Sequence, residues 1–172
     1  MKTGVRDMVI AALMATLIFV VTFAVRVPIP VSSGGYISIG DAMIFLSARL
    51  IGGSRSEKKT AFAAASAAAI GSALADLAAG AALYIIPTFI IKGLMGFVCR
   101  LIIMKRRSFP AFMIAAVSCG AIMVCGYFIF DYFVIGLPYA LVSAPFNCFQ
   151  LIGNVVVSAV LFPVAKQVEA RI

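Results

Sequence analysis

The sequence predicts an all-α integral membrane protein, a single bundle of six transmembrane helices with both termini in the cytoplasm. Three observations predict it. Of 172 residues, 64% are hydrophobic, and the mean hydropathy is +1.16. A soluble domain is about 45–50% apolar, so one small core does not absorb the excess. A spanning helix needs about 20 apolar residues, which leaves room for roughly six spans and no soluble domain of useful size. The basic residues fall at alternate ends of the apolar runs. They are Lys2 and Arg6, then Arg49, Arg55, Lys58 and Lys59, then Arg100, Lys105, Arg106 and Arg107, then Lys166 and Arg171. This is the positive-inside pattern, and only Arg26 and Lys92 break it. It accounts for the net charge of +8 with no nucleic acid as partner; the basic loops suit anionic lipid or a cytoplasmic protein.

Span one covers residues 7–25. A basic start before an apolar run is shared with signal peptides, but no A-x-A cleavage site follows, so the segment is a span. Ala11 and Ala15 stand four apart, with Ala12 and Thr16 beside them. Small residues at this spacing admit a second helix closely, either within the bundle or from another subunit. The outer loop at 26–40, RVPIPVSSGGYISIG, carries prolines, glycines and serines that forbid a helix. It is long for a bundle connection and bears Tyr36, as expected of a loop that folds over a solute. Span two, 41–51, is short, and Asp41 is placed to cap it.

Span three, 60–79, is rich in Ala, Gly and Ser. Ala63, Ala67, Gly71 and Ala75 form a small-residue ladder, which predicts a central, tightly surrounded helix. A turn at 80–84 leads to span four, 85–104, where Pro87 suits the first turn. Span five covers 110–133. A further outer loop at 134–145 bears Tyr139. Span six, 146–164, opens with Asn147, Gln150 and Asn154 on one stripe.

The stretch 71–96 organises the rest, because its two helical segments carry one ionisable residue each, Asp76 and Lys92. A charge at bilayer depth costs roughly 2.5–3.5 kcal/mol on insertion scales, so it pairs, faces a cavity, or does both. Asp76 and Lys92 are therefore expected as a structural charge pair, as solute contacts, or as both. Thr88 shares a face with Lys92, and Tyr127 with Asp131. Thr88, Lys92, Tyr127, Asp131, Asn147 and Gln150 all fall near the outer ends of spans four to six. Convergent polar groups in an apolar wall are how small-molecule sites are built; helix–helix hydrogen bonding is the other use of the amides.

Several chemistries are missing. There is no His, which removes zinc-protease and Ser–His arrangements. Ser38-Ile39-Gly40-Asp41 lacks the first glycine of the G-x-G-D pattern of intramembrane aspartyl proteases. No Gly precedes Lys58 or Lys59, so residues 53–60 are no Walker loop. Cys99, Cys119, Cys125 and Cys148 lie in apolar segments without a C-x-x-C pair, as packing residues. Neither a metal, a cofactor nor an enzymatic activity is expected.

The chain resembles the substrate-binding S components of energy-coupling factor (ECF) vitamin transporters. The resemblance rests on Gly40-Asp41, G-S-A-L-A-D-L at 71–77, P-T-F-I-I-K-G at 87–93 and P-F-N-C-F-Q-x-x-G at 145–153. It covers the whole chain, and the middle block is similar to members for riboflavin, pyridoxine and hydroxymethylpyrimidine. It implies capture of one vitamin-like heterocycle from outside. Delivery would then require a coupling (T) subunit and two ATPases. It also implies a substrate site at Tyr36, Thr88, Lys92, Tyr127, Asp131, Tyr139, Asn147 and Gln150, and a coupling contact at Ala11 and Ala15. One Lys, one Asp and several amides suit a small neutral or zwitterionic ring. The alternative is a stand-alone proton-coupled transporter with Asp76 or Asp131 as relay.

Overall fold

The computed structural model describes residues 3–29, 35–52 and 58–171. The tip of the first outer loop, at 30–34, lies outside the described residues. So do the cytoplasmic stretch 53–57 with Arg55, and Lys2. Six α-helices follow in order: α1 (Thr3–Ala24), α2 (Gly40–Leu50), α3 (Lys58–Ala79), α4 (Ile85–Ile103), α5 (Phe109–Val134) and α6 (Leu137–Arg171). Five are long and apolar enough to cross a membrane. With 11 residues, α2 reaches only about 16 Å at 1.5 Å per residue, half of a bilayer core.

Each helix boundary has a local cause. The α3 helix ends because Gly80 takes φ of +75°, the left-handed turn that glycine adopts without penalty. The Ala81 N–H then closes on Asp76 O and the Gly80 N–H on Leu77 O, which completes a Schellman cap. A 3₁₀ turn, Ala82–Tyr84, passes the chain into α4. At α5, Ser108 accepts the Ala111 N–H and Pro110 occupies the first turn, where its missing donor is harmless.

Neighbouring helices pack in the sequence α1, α3, α4, α5, α6, and α2 touches all five. Every residue from Gly40 to Leu50 is buried. The centre of the bundle is therefore α2, and the expectation of a central α3 is corrected. The small-residue ladder of α3 has a different use, close approach to two neighbours. A Cβ on Gly71 would lie 2.5 Å from the Ala15 carbonyl of α1, and one on Gly96 of α4 would lie 2.6 Å from the Ala64 carbonyl. The other face of α3 is exposed at Phe62 and Leu77, as a lipid-facing surface is.

The first outer loop forms no helix among its described residues before Gly40, as expected, and β1 (Arg26–Pro28) and β2 (Tyr36–Ser38) pair antiparallel there, with Val27 opposite Ile37. One more expectation is corrected: the predicted loop at 134–145 is helical from Leu137, so Tyr139 sits on α6. Pro138 falls in the first turn of α6, where it costs no hydrogen bond, and Pro145 and Pro163 lie inside the helix.

At the cytoplasmic end, Arg49 of α2 binds Glu169 of α6 at 2.8 Å, and Arg107 of the α4–α5 turn pairs with the same carboxylate. The two arginines also donate to each other's backbone carbonyls, at 3.1 and 3.3 Å. Arg100, fully buried, donates to Thr60 Oγ1 and to Ala48 O. This cluster ties α2, α3, α4 and α6 together at one end and leaves the opposite end to the polar residues described next.

Candidate functional site

At the outer end, all six helices and the hairpin surround one cavity, with an empty space of about 590 Å³ counted to its open mouth. That lies within the roughly 300–1,000 Å³ typical of ligand pockets. Tyr36, Thr88, Lys92, Tyr127, Asp131, Tyr139, Asn147 and Gln150 all line it. Thr22, Ser38, Asp41, Ser72, Asp76, Tyr84 and Ser143 line it as well. The chamber thus draws on α1, α2 and α3 in addition to the last three helices.

The lining is organised as three hydrogen-bonded groups. In the first, Lys92 Nζ binds Asp41 Oδ1 at 2.5 Å, and Gln150 Nε2 donates to Asp41 Oδ2 at 2.9 Å. The Lys92 ammonium also lies 5.4 Å from the centre of the Tyr127 ring, within cation–π range. Lys92 therefore pairs with Asp41, and the expected Asp76–Lys92 pair is corrected. The physical reason is the position of α2. Buried at the middle of the bundle, it delivers its first-turn carboxylate directly to α4. Asp41 is accordingly no cap; the residue at the N-cap is Ile39, without a side-chain bond.

In the second group, Asp131 is satisfied at both oxygens. Tyr84 donates to Oδ1 at 3.0 Å and Ser143 to Oδ2 at 2.6 Å, while the Tyr139 hydroxyl lies 2.9 Å from that of Tyr84. Asp131 of α5 ties the 3₁₀ turn before α4 to α6 and presents tyrosine hydroxyls to the cavity. In the third, Tyr36 of the hairpin donates to Asp76 Oδ1, and Thr88 bonds Tyr127 at 2.8 Å. Burial and the adjacent Asp76 carboxyl push the Tyr36 phenol above the ordinary tyrosine range, so it remains a donor.

The hairpin is fixed from below by α6. Gln150 Oε1 accepts the Ser38 N–H at 3.1 Å, and Asn154 Nδ2 donates to Ser38 O at 2.7 Å. Asn154 Oδ1 also accepts the Ala42 N–H at 2.8 Å. Asn154 and Gln150 therefore work in part as a bracket for the β2–α2 corner. Asn147 differs from both. It is 7% exposed and lines the cavity, and among the described residues its amide has no hydrogen-bond partner.

Sequence reasoning missed Tyr84 and Ser143. Tyr84 was findable, since Tyr84, Thr88 and Lys92 recur every four residues on one face. Ser143 lay in a stretch read as loop. Ala11 and Ala15 are half-buried and pack against the bundle core, with Ala15 close to Gly71 of α3. They stand at the edge between the packed face of α1 and its exposed face, which includes Met8, Leu13 and Val20.

A polar chamber opening at one end of a membrane bundle defines a membrane protein that binds a small solute. The chain belongs to the family of ECF-type riboflavin transporter S components, which it matches over residues 2–168. It is also similar to a protein of Pyrococcus woesei described as an uncharacterized protein in gap 3'region. The two are 29% identical over 148 residues, covering 86% of this chain and 93% of that one. S components are substrate-binding subunits of transporters and are not enzymes.

Proposed function

We propose that the outer cavity captures one vitamin or vitamin precursor, a heterocycle of the riboflavin, pyridoxine or hydroxymethylpyrimidine kind. The protein then delivers it inward together with a coupling subunit and two ATPases. One observation carries the reading: the cavity wall keeps buried polar atoms that the protein does not use itself, Asp76 Oδ2 and Thr22 Oγ1, with the Asn147 amide beside them on the lining. Buried polar groups without partners are costly, and a bound guest supplies the missing partners. With no Trp in the chain, ring stacking falls to Tyr84, Tyr127 and Tyr139. The coupling subunit meets α1 along the edge marked by Ala11 and Ala15, where small side chains admit a helix.

Calorimetric titration of the purified chain with riboflavin, pyridoxine and hydroxymethylpyrimidine tests this. Saturable binding of one of them is expected, with uptake only when the coupling module is co-expressed. Uptake by proteoliposomes holding this chain alone under a pH gradient would favour the stand-alone transporter instead.

A further inference from the structure

Within the capture reading above, the charge of the cavity points to the kind of ring it suits. Its lining holds three carboxyls, Asp41, Asp76 and Asp131, against one ammonium, Lys92. Two carboxyls are already engaged: Asp41 by Lys92 and Gln150, Asp131 by Tyr84 and Ser143. Asp76 is engaged at one oxygen only. Its Oδ1 accepts from Tyr36, whereas Oδ2 is buried with no hydrogen-bond partner among the described residues. Thr88 makes its hydrogen bond with Tyr127, and Lys92 is held by Asp41. Asp76 is 4% exposed, so bulk water does not make up the deficit. The Asn147 amide, which also lines the cavity, carries both a donor and an acceptor.

We propose that Asp76 sets the specificity of the cavity: its Oδ2 accepts an N–H from an amino-substituted or protonated nitrogen heterocycle, while Tyr36 holds the other oxygen and Asn147 pairs with the acceptor edge of the same ring. Charge-assisted hydrogen bonds are roughly twice as strong as neutral ones. A ring that offers only a carbonyl at this point sets its lone pairs against those of the carboxylate, so the site rejects it as well as failing to bind it. The excess of carboxyls over the single ammonium acts in the same direction, favouring donors and positive charge throughout the chamber.

The test is calorimetric titration of the full chain in detergent with three probes: 4-amino-2-methylpyrimidine, 2-methylpyrimidin-4-one and riboflavin. The wild type is expected to bind the amino probe at least about tenfold more tightly than the oxo probe, as a charge-assisted bond requires. Asp76→Asn replaces the free acceptor by an amide that also donates; it should weaken the amino probe about tenfold or more and strengthen the oxo probe. Tyr36→Phe should weaken the amino probe and leave the oxo probe unchanged. Equal wild-type affinity for the two pyrimidines overturns the inference. So does an unchanged ranking in Asp76→Asn, because that is the behaviour of a carboxyl that keeps its proton. If Asp76→Asn does not fold, the wild-type ranking alone decides. Binding of riboflavin or the oxo probe without an amino preference removes this inference and leaves solute capture standing. Failure of all three probes to bind counts against capture itself, and the inference falls with it.

Discussion

The two ends of the bundle handle buried polarity in opposite ways. At the cytoplasmic end, charge meets charge. Arg49 and Arg107 share Glu169 and bind each other's backbone. The Arg49 Nε left over belongs to a guanidinium that lies 4.6 Å from the centre of the Phe162 ring. At the outer end, a larger set of polar side chains lines a cavity, and Asp76 Oδ2 and Thr22 Oγ1 have no hydrogen-bond partner among the described residues. Both ends leave a buried polar atom without a partner among those residues, but only at the outer end do such atoms line a cavity large enough for a guest. Geometry distinguishes the two ends, a closed cluster against an open cavity.

The largest loss is expected at Lys92. Lys92→Met leaves the Asp41 carboxylate buried without its counter-charge, held by Gln150 alone, which costs about 3–5 kcal/mol. Thermal unfolding in detergent should show this as the largest loss among single variants, with much of it recovered when Asp41→Asn is added. If Asp76→Asn proves the more damaging change and Lys92→Met is mild, Lys92 belongs to Asp76 after all. Next comes Glu169→Gln at the other end. Arg49 and Arg107 lose their shared carboxylate, for roughly 1.5–3 kcal/mol, while solute affinity stays within about twofold. A larger change in affinity would show that the ends are not independent.

Asn147→Ala should act on the guest and spare the fold. It removes a group with no protein partner, so the melting curve should move by no more than about 0.5 kcal/mol. Solute affinity should fall about tenfold, or about 1.4 kcal/mol. Ala11→Leu should do least to the isolated chain. It is expected to spare solute binding and to abolish co-purification with the coupling subunit; retained assembly would move the coupling contact elsewhere.

Much of this architecture was legible because hydropathy and basic residues mark spans directly. Six helices and the shared side of Arg6, Arg49, Arg100 and Arg171 follow from runs of 10–20 residues, and local composition suffices for those. The convergence of Thr88, Lys92, Tyr127 and Asn147 was legible too, since four-residue spacing places groups on a face, and topology places those faces at one end. Pairing was not. Lys92 finds Asp41 across 51 positions of sequence, and Gln150 finds it across 109. No periodicity encodes which of two acidic residues a lysine meets. Asp41 was misread because a carboxylate before a helix is usually a cap, whereas here the helix it opens is buried whole. Tyr139 was assigned to a loop because Gly136, Pro138 and Pro145 signal a break. The break occurs at Gly136 alone, with φ of +125°, and the prolines follow it into α6.

Native mass spectrometry of the purified chain beside its Asn147→Ala variant reports whether the outer cavity holds a guest. One small molecule per chain on the wild type, lost from a variant that melts normally, is the predicted result. A wild type that carries no adduct after incubation with riboflavin, pyridoxine and hydroxymethylpyrimidine would contradict the account, as would an adduct that survives equally in the variant.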